Sequence, residues 1–134
     1  MPATEHPNVT LLKRLDFGNL DGSAALFAGD FVWHFFNPRL PDLEGDHVGL
    51  SGLQTFLGKL GALTGGTFAV ESISVAAFGD ELVVTHNKNR MTLQGMAIET
   101  DAVVVWRIVD GRFAEVWDIP SVHAVRVEPN PKRQ

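Results

Sequence analysis

Alternating apolar and polar residues in the second half of the chain predict a four-stranded antiparallel meander. The run from Thr67 to Trp117 is rich in β-branched and aromatic residues, and turn-forming pairs interrupt it at Gly79-Asp80, Gln94-Gly95 and Asp110-Gly111. Strands of about a dozen residues would extend about 40 Å, which exceeds the diameter of about 36 Å expected for a compact domain of this length. The strands must therefore curl, and a curled sheet with helices in its concavity is expected to leave a pocket.

Apolar residues at helical spacing predict two short helices near the start of the chain. Residues 9–15 indicate the first helix, which ends before Gly18. Residues 21–28 indicate the second helix, with Asp21 or Ser23 as its N-cap.

A third helix is predicted by a capping box and an apolar stripe. Ser51 and Gln54 have the spacing of a capping box, and apolar residues follow at i, i+3, i+4 and i+7 from Leu53. Gly58 and Gly61 lie inside this helix, where each glycine costs about 1 kcal/mol relative to alanine. We interpret them as points of close packing against the sheet.

The segment between the second and third helices is predicted to form a strand and then a loop. Residues 31–36 are apolar on both faces of the strand, and Asn37-Pro38 ends it. The chain from there to Gly49 is expected to form an irregular loop that covers the pocket.

Residues 97–109 of the meander indicate which face of the sheet meets the core. Ala102, Val104 and Trp106 share one face with other apolar residues, while polar residues predominate on the other. Val103 and Val105 on that second face are apolar too, so part of it should be covered, and homodimerisation is the economical explanation. The order of elements predicts an α+β fold with a strongly curved, mostly antiparallel sheet wrapped around helices.

Composition narrows the class of protein. The chain has 134 residues, 45% of them hydrophobic, which predicts a single domain. Residues 126–134 contain two prolines and a terminal basic pair and are expected to form a flexible tail. There is no cysteine, so disulfides and thiolate metal sites are excluded. A net charge of -5 without a basic cluster argues against nucleic acid as a partner. The absence of a secretory signal or a long apolar run argues against a membrane partner and favours the cytoplasm.

Three segments of the chain carry a family resemblance. They are Phe31-Val-Trp-His34 after a short helix, Gly49-Leu-Ser-Gly-Leu-Gln54 at the third helix, and Val109-Asp-Gly-Arg-Phe-Ala-Glu-Val-Trp117 in the closing hairpin. With the element order, they resemble the nuclear transport factor 2-like superfamily, and within it the SnoaL-like polyketide cyclase branch. The resemblance covers about residues 8–125, which would be the core of the domain. It implies a cone-shaped, cystatin-like roll, a ligand pocket inside it and a homodimer. Because isomerases, epoxide hydrolases, cyclases and binding domains share this fold, it does not define an activity.

The carboxylates used by the best-known relatives are not found at the matching positions. The base of the isomerases matches Asn37, and the chain has no tyrosine to serve as their oxyanion donor. The epoxide hydrolase carboxylates match Lys88-Asn89-Arg90 and Ser121, and cyclases tend to carry their base near this last position. A shift of the alignment by one or two residues would make Asp118 the surviving carboxylate.

The remaining polar residues form a candidate catalytic set. His34, His86 and Asp118 could converge, with a histidine held near neutral pKa by Asp118 as general base. Lys88 or Arg90 would stabilise an oxyanion. No histidine pair at ligand spacing supports a metal site, and we predict neither a metal nor a cofactor. The predicted ligand-binding residues are Trp33, Phe36, Asn37, Lys88, Arg90, Met96, Trp106 and Trp117.

Two functions remain open at this point. One is a small enzyme of isomerase, cyclase or hydrolase type that transfers a proton on an apolar, carbonyl-containing ligand in the cone pocket. The other is a non-catalytic ligand-binding or dimerisation domain of the same fold.

Overall fold

The computed structural model describes residues 5–123 and 126–129. In this part of the chain a curved seven-stranded sheet is accompanied by two α-helices and a 3-10 helix. No helix there is both long and apolar enough to cross a membrane. In chain order the elements are α1 (Pro7–Lys13), the 3-10 helix (Asp21–Leu26), β1 (Phe27–Phe35), β2 (Gly45–Val48), α2 (Gly49–Leu63), β3 (Ala69–Phe78), β4 (Leu82–Leu93), β5 (Met96–Val109), β6 (Arg112–Pro120) and β7 (Arg126–Pro129).

The sheet confirms the predicted α+β fold. Its strands lie in the order β2-β1-β6-β5-β4-β3, and β7 pairs with β5 outside this path. The described strand pairs are antiparallel except for β1 and β6, which run parallel. The predicted four-stranded meander corresponds to β3 through β6.

Two of the predicted turns have the backbone of a tight two-residue hairpin. Gln94 and Gly95 have φ values of 51° and 80°, and Asp110 and Gly111 have φ values of 52° and 73°. Positive φ at both central residues defines the type I′ turn, whose twist matches that of the flanking strands. These turns set the pairing register of β4 with β5 and of β5 with β6.

The pleat of the sheet separates an inner face, which packs against the helices, from an outer face. In β1 the inner residues Phe31, Trp33 and Phe35 are at most 7% exposed. In β5 the inner residues include Val104 and Trp106, as the alternation over residues 97–109 predicted. Helix α2 covers this face with its buried residues Leu53, Phe56 and Leu60.

The first two strands differ from the prediction. β1 begins at Phe27, inside the segment predicted as the second helix, and it includes Gly29 and Asp30. An irregularity in the pairing with β6 between Phe27 and Val32 accommodates these residues. The predicted irregular loop contains β2, which pairs with the end of β1. At only four residues, β2 is too short for an alternation pattern to reveal it.

The predicted capping box does not form. Helix α2 begins at Gly49, two residues before Ser51, and its N-cap residue Val48 makes no side-chain cap hydrogen bond. Gly49 has a φ of 71°, so the chain enters the helix through a conformation that favours glycine. Gln54 Nε2 instead donates to Asp21 Oδ1 at 2.9 Å, which ties α2 to the 3-10 helix. The N-cap of the 3-10 helix is Leu20, which makes no side-chain cap hydrogen bond. Asp21, one of the two predicted N-cap residues, is instead the first residue of this helix.

A short strand lies within the segment that was predicted as a tail. Residues Arg126–Pro129 form β7, which pairs antiparallel with Met96 to Glu99 at the start of β5. Residues 130–134 of the predicted tail lie outside the described residues.

Strand β3 forms one edge of the sheet and is exposed along most of its length. Its apolar residues Val70 and Phe78 are 54% and 57% exposed. Its register with β4 shifts between Ser72 and Ser74, which leaves Ile73 as a bulge.

Gly58 and Gly61 were interpreted from the sequence as points of close packing against the sheet, and the structure shows that this interpretation is wrong. A Cβ atom built at either residue would have no atom within 4 Å. By contrast, Gly65 follows the helix with a φ of 61°, where a side chain would be strained.

Replacing Gly58 with alanine should therefore stabilise the protein. The variant gains helix propensity without a clash, so the free energy of unfolding should rise by about 0.5–1 kcal/mol. Gly65→Ala is the matched control and should lower it by about 1 kcal/mol or more, because alanine disfavours positive φ. Urea denaturation of both variants measures these changes, and destabilisation by Gly58→Ala would show that this residue is packed.

Candidate functional site

The inner face of the sheet and helix α2 enclose a cavity with two adjoining chambers. The larger chamber has a volume of about 360 Å³, and aromatic residues such as Trp33, Phe56 and Trp106 dominate its walls. We call it the aromatic chamber. The second chamber, of about 150 Å³, extends towards Asn37 and Leu40 after β1. Five residues line both chambers: Phe56, Leu60, Phe68, Asn89 and Asp118.

The pleat of β6 directs Asp118 into this cavity. Val116 and Pro120, two residues to either side, are buried on the inner face. Parallel pairing with β1 places Asp118 beside Phe35 and Val116 beside Trp33. The carboxyl group is therefore surrounded by apolar and aromatic side chains.

Burial sets the protonation of Asp118. Removal from water raises the pKa of its carboxyl group to about 7, because the charged form loses hydration. The indole N–H of Trp33 lies beside this carboxyl and lowers its pKa by a smaller amount, although it does not reach hydrogen-bond geometry. Among the described cavity walls, the other ionisable residue is Arg39 of the second chamber. Asp118 is thus divided between its acid and base forms near neutral pH.

Two buried polar atoms in the cavity walls have no hydrogen-bond partner within the described residues. They are Trp33 Nε1, in a residue that is 4% exposed, and Asn89 Oδ1, in a residue that is 9% exposed. An unsatisfied buried polar group costs about 1–3 kcal/mol. One unpaired donor and one unpaired acceptor are therefore held on a largely apolar wall that also carries Asp118 and Asn87.

The structure does not bring the three predicted catalytic residues together. Asp118 faces the cavity, whereas His34 and His86 lie on the outer face, where both bind carboxylates. His34 Nδ1 is 2.6 Å from Asp46 Oδ1, and its Nε2 is 2.5 Å from Glu115 Oε2. His86 Nε2 is 2.8 Å from Asp101 Oδ1.

His34 links three strands on the outer face. Burial of its ring lowers the pKa, but the hydrogen bonds to Asp46 in β2 and Glu115 in β6 outweigh this effect, and the net pKa is raised. The ring also stacks on Trp117, with centroids 5.6 Å apart. Because the folded-state pKa is raised, this link stabilises the fold at low pH and weakens as pH rises through that pKa.

Lys88 and Arg90, predicted to stabilise an oxyanion, belong to a network of ion pairs on the outer face. Lys88 Nζ lies 3.5 Å from Asp101 and 3.6 Å from Glu99. Arg90 donates to Glu71 at 2.7 Å and to Glu99 at 2.9 Å. Exposed pairs of this kind contribute about 0–1 kcal/mol each. Both cations are therefore occupied by partners away from the cavity.

Three of the predicted ligand-binding residues line the cavity. Trp33 and Trp106 lie in the aromatic chamber, and Asn37 lies in the second chamber. Phe36 is 47% exposed, and Met96 lies at the β4–β5 turn, opposite Leu93. The fifth aromatic or apolar candidate, Trp117, contacts His34 on the outer face.

Sequence reasoning missed Asn89 as a site residue. The signal that could have found it is the register of β4 with β5, in which Thr85 pairs with Val104. Val104 was already assigned to the core face, so Thr85 and the residues at even spacing from it, including Asn89, must share that face. The charged residues at period two on β4 then belong to the outer face.

Within residues 5–123 and 126–129, no group of three or more histidine, aspartate or glutamate side chains is placed to hold a metal ion.

An α+β fold in which a curved sheet holds a cavity on its inner face is typical of the cone-shaped, nuclear transport factor 2-like proteins, and this chain has that fold. This chain belongs to the SnoaL-like domain family, whose sequence model matches residues 10–116. Asp118 lies two residues beyond the matched segment.

Solved structures share the fold at low sequence identity. Bal32a, from a soil-derived mobile gene cassette, has a TM-score of 0.75 and 23% identity, covering 85% of this chain and 88% of its own. A protein of unknown function with a cystatin-like fold from Xanthomonas campestris has a TM-score of 0.72 and 22% identity, covering 84% and 89%. TerC, co-crystallised with polyporic acid, has a TM-score of 0.72 and 21% identity, covering 86% and 92%. None of the curated proteins matches the sequence.

Replacing Asp118 with asparagine should change how stability depends on pH. The folded-state pKa of about 7 exceeds the unfolded value, so the native protein should lose up to about 4 kcal/mol between about pH 4 and pH 7. Asparagine does not ionise, so the variant should not lose this free energy of unfolding. The difference in stability between the variant and the native protein should therefore shift in favour of the variant as pH rises. Urea denaturation at pH 4.5, 6 and 8 measures the difference, with Asp101→Asn on the outer face as control. Parallel pH profiles for the native protein and Asp118→Asn would contradict the raised pKa.

Proposed function

We propose that this protein is a small-molecule enzyme in which Asp118 transfers a proton to or from an apolar, carbonyl-containing ligand. The observation that carries the proposal is a carboxyl group with a pKa of about 7 inside an apolar cavity. A general acid or base works best when its pKa lies near the working pH. The combined chambers are also of the size that small-molecule sites require.

The chemistry follows from the groups around Asp118. Its carboxylate accepts a proton from the carbon next to the ligand carbonyl, and the electrons of the broken C–H bond move onto the carbonyl oxygen. The N–H of Trp33, which lies beside the carboxyl, is the donor available to that oxygen. The protonated Asp118 then returns its proton to the carbon or oxygen of the enolate, which completes an isomerase-type step. In a cyclase-type step the enolate carbon instead forms a bond to a second carbonyl carbon of the ligand, and Asp118 protonates the alkoxide that results.

In this proposal His34 and His86 have structural roles. Both ring nitrogens of His34 and Nε2 of His86 contact carboxylates on the outer face, away from the cavity, so Asp118 alone serves as the base.

Hydrogen exchange on a simple ketone tests the proposal. Deoxybenzoin (1,2-diphenylethanone) carries an acidic C–H next to its carbonyl, and NMR in D2O follows replacement of that hydrogen by deuterium. The native protein should accelerate the exchange above the buffer rate. Asp118→Asn should reduce the enzymatic rate by a factor of about 100 or more, because general base catalysis contributes that amount.

Asp101→Asn is the matched control for this experiment, since it removes a carboxylate from the outer face. It should leave the exchange rate within about twofold of the native rate. Exchange that survives in Asp118→Asn, or that falls equally in both variants, would refute the role of Asp118.

A second candidate function is ligand binding without turnover. The observation that favours it is that Asp118 is the single carboxyl group along the described cavity walls, so no partner acid is present there. Binding of deoxybenzoin to the native protein with no exchange above the buffer rate would support this function instead.

We further propose a cytoplasmic homodimer that forms through the outer face of the sheet. Val103 and Ile119 are 40% and 46% exposed there and lie opposite each other on β5 and β6. The half-buried Val105 and Trp117 extend this apolar surface and are also a cross-strand pair. A second copy of the same face would remove these side chains from water.

The double variant Val103→Glu, Ile119→Lys should dissociate the dimer. The two new charges face each other across the strands and can pair within one subunit, so the fold should be retained. Sedimentation velocity should show the native mass reduced by half. Phe78→Ser removes an equally exposed apolar side chain at the edge of the sheet and should leave the mass unchanged. A native protein that sediments as a monomer would contradict the proposal.

A further inference from the structure

We infer that the cavity takes a two-lobed apolar ligand whose centre carries a carbonyl group and an adjacent hydroxyl group, that is, an α-hydroxyketone with an apolar group on each side. This inference rests on the proposed role of Asp118 and names the class of substrate on which it acts.

The two lobes follow from the two chambers. Residues that line both chambers lie where the chambers meet, and Asp118 and Asn89 are the polar members of that set. A ligand that brings its reacting carbon to Asp118 therefore extends one apolar group into each chamber. The polar atoms that meet Asp118 and Asn89 then lie at the centre of the molecule.

The walls of each chamber indicate the kind of apolar group. In the aromatic chamber, Trp33 and Trp106 meet edge to face with centroids 5.5 Å apart, and Phe17 lies 6.0 Å from Trp33. Such walls favour an aromatic ring. The second chamber has more aliphatic walls, including Leu40 and Met91, with Arg39 among its lining residues.

The two unpartnered atoms define the polar centre. Trp33 Nε1 donates only, so it requires an acceptor such as a carbonyl oxygen. Asn89 Oδ1 accepts only, so it requires a donor such as a hydroxyl group. Both residues are at least nine-tenths buried and line the cavity with Asp118. A ligand with adjacent carbonyl and hydroxyl groups satisfies both atoms, whereas a simple ketone leaves Asn89 unsatisfied.

An α-hydroxyketone also gives the proton transfer a defined outcome. Asp118 accepts the proton from the carbon that bears the hydroxyl group, and the C–H electrons form the carbon–carbon double bond of an enediolate. The proton of the hydroxyl group passes to the neighbouring oxygen of the former carbonyl, and the carbon that bore the hydroxyl group becomes the new carbonyl carbon. Asp118 then delivers its proton to the former carbonyl carbon, so the carbonyl moves by one carbon without any oxidant or reductant.

Matched probes test the class of ligand. Benzoin has a phenyl ring on each side of a hydroxyketone, deoxybenzoin lacks only the hydroxyl group, and bibenzyl lacks both oxygens. Quenching of tryptophan fluorescence measures their binding, because Trp33 and Trp106 line the aromatic chamber. The native protein should bind benzoin about tenfold more tightly than deoxybenzoin, because the simple ketone leaves a buried acceptor unpaired. Bibenzyl should bind more weakly than either ketone.

Asn89→Leu should abolish the preference for benzoin over deoxybenzoin. The variant removes an unpartnered atom, so it should not lower the melting temperature, which circular dichroism can verify. Asp101→Asn changes a polar side chain on the outer face instead, away from the cavity. This control should retain the tenfold preference. The native protein should prefer deoxybenzoin over bibenzyl, and Trp33→Phe should reduce this preference because the N–H group that meets the carbonyl is lost. Trp106 remains in the cavity of this variant as the fluorescent reporter of binding.

The outcomes separate this inference from the proposed function. Equal affinity of the native protein for benzoin and deoxybenzoin, a preference that persists in Asn89→Leu, or no binding of any probe would overturn the inference. If Asp118-dependent exchange occurs on deoxybenzoin without a preference for benzoin, the proposed function stands and the inference fails. If benzoin is preferred through Asn89 but neither ketone exchanges its hydrogen, the ligand class stands and the proposed function fails.

Discussion

Parallel pairing between β1 and β6 is the contact on which both faces of the sheet depend. It joins residues far apart in the chain and places Trp33 beside Val116 and Phe35 beside Asp118 on the inner face. The same register brings His34 beside Trp117 on the outer face. Without this pairing the meander would still form, but the cavity would lose one wall and Asp118 would face water.

The two faces treat polar groups in opposite ways because their access to water differs. On the outer face, carboxylates and cations pair with one another and remain partly hydrated, so these charges cost the folded state little free energy. On the inner face, one carboxyl, one indole N–H and one amide oxygen lie in apolar surroundings without full hydrogen bonding. Polar groups retained at such a cost are typical of functional sites. The outer link from His34 to Asp46 and Glu115 stabilises the strand pairing that holds the inner groups in place.

The sequence was sufficient to predict the fold because turns and alternation act locally. Asp110-Gly111 and the alternating residues of β5 fix a hairpin and its core face without reference to distant strands. The site was harder to predict because it depends on which face each residue occupies across strands. In β1, residues 31–36 are apolar on both faces, so the pattern does not show that His34 points outward. Asp118 lies near the end of β6, where an alignment shift of one residue reverses the face.

Strand β3 has a consequence for the behaviour of the protein at high concentration. An edge strand presents unpaired backbone groups, and here it also carries exposed apolar side chains, which is a template for edge-to-edge aggregation. Two features interrupt that template. The bulge at Ile73 disturbs the regular spacing of the edge, and Glu71 places a negative charge on it. The resistance of this edge to fibril-like assembly therefore depends on one irregular residue and one carboxylate.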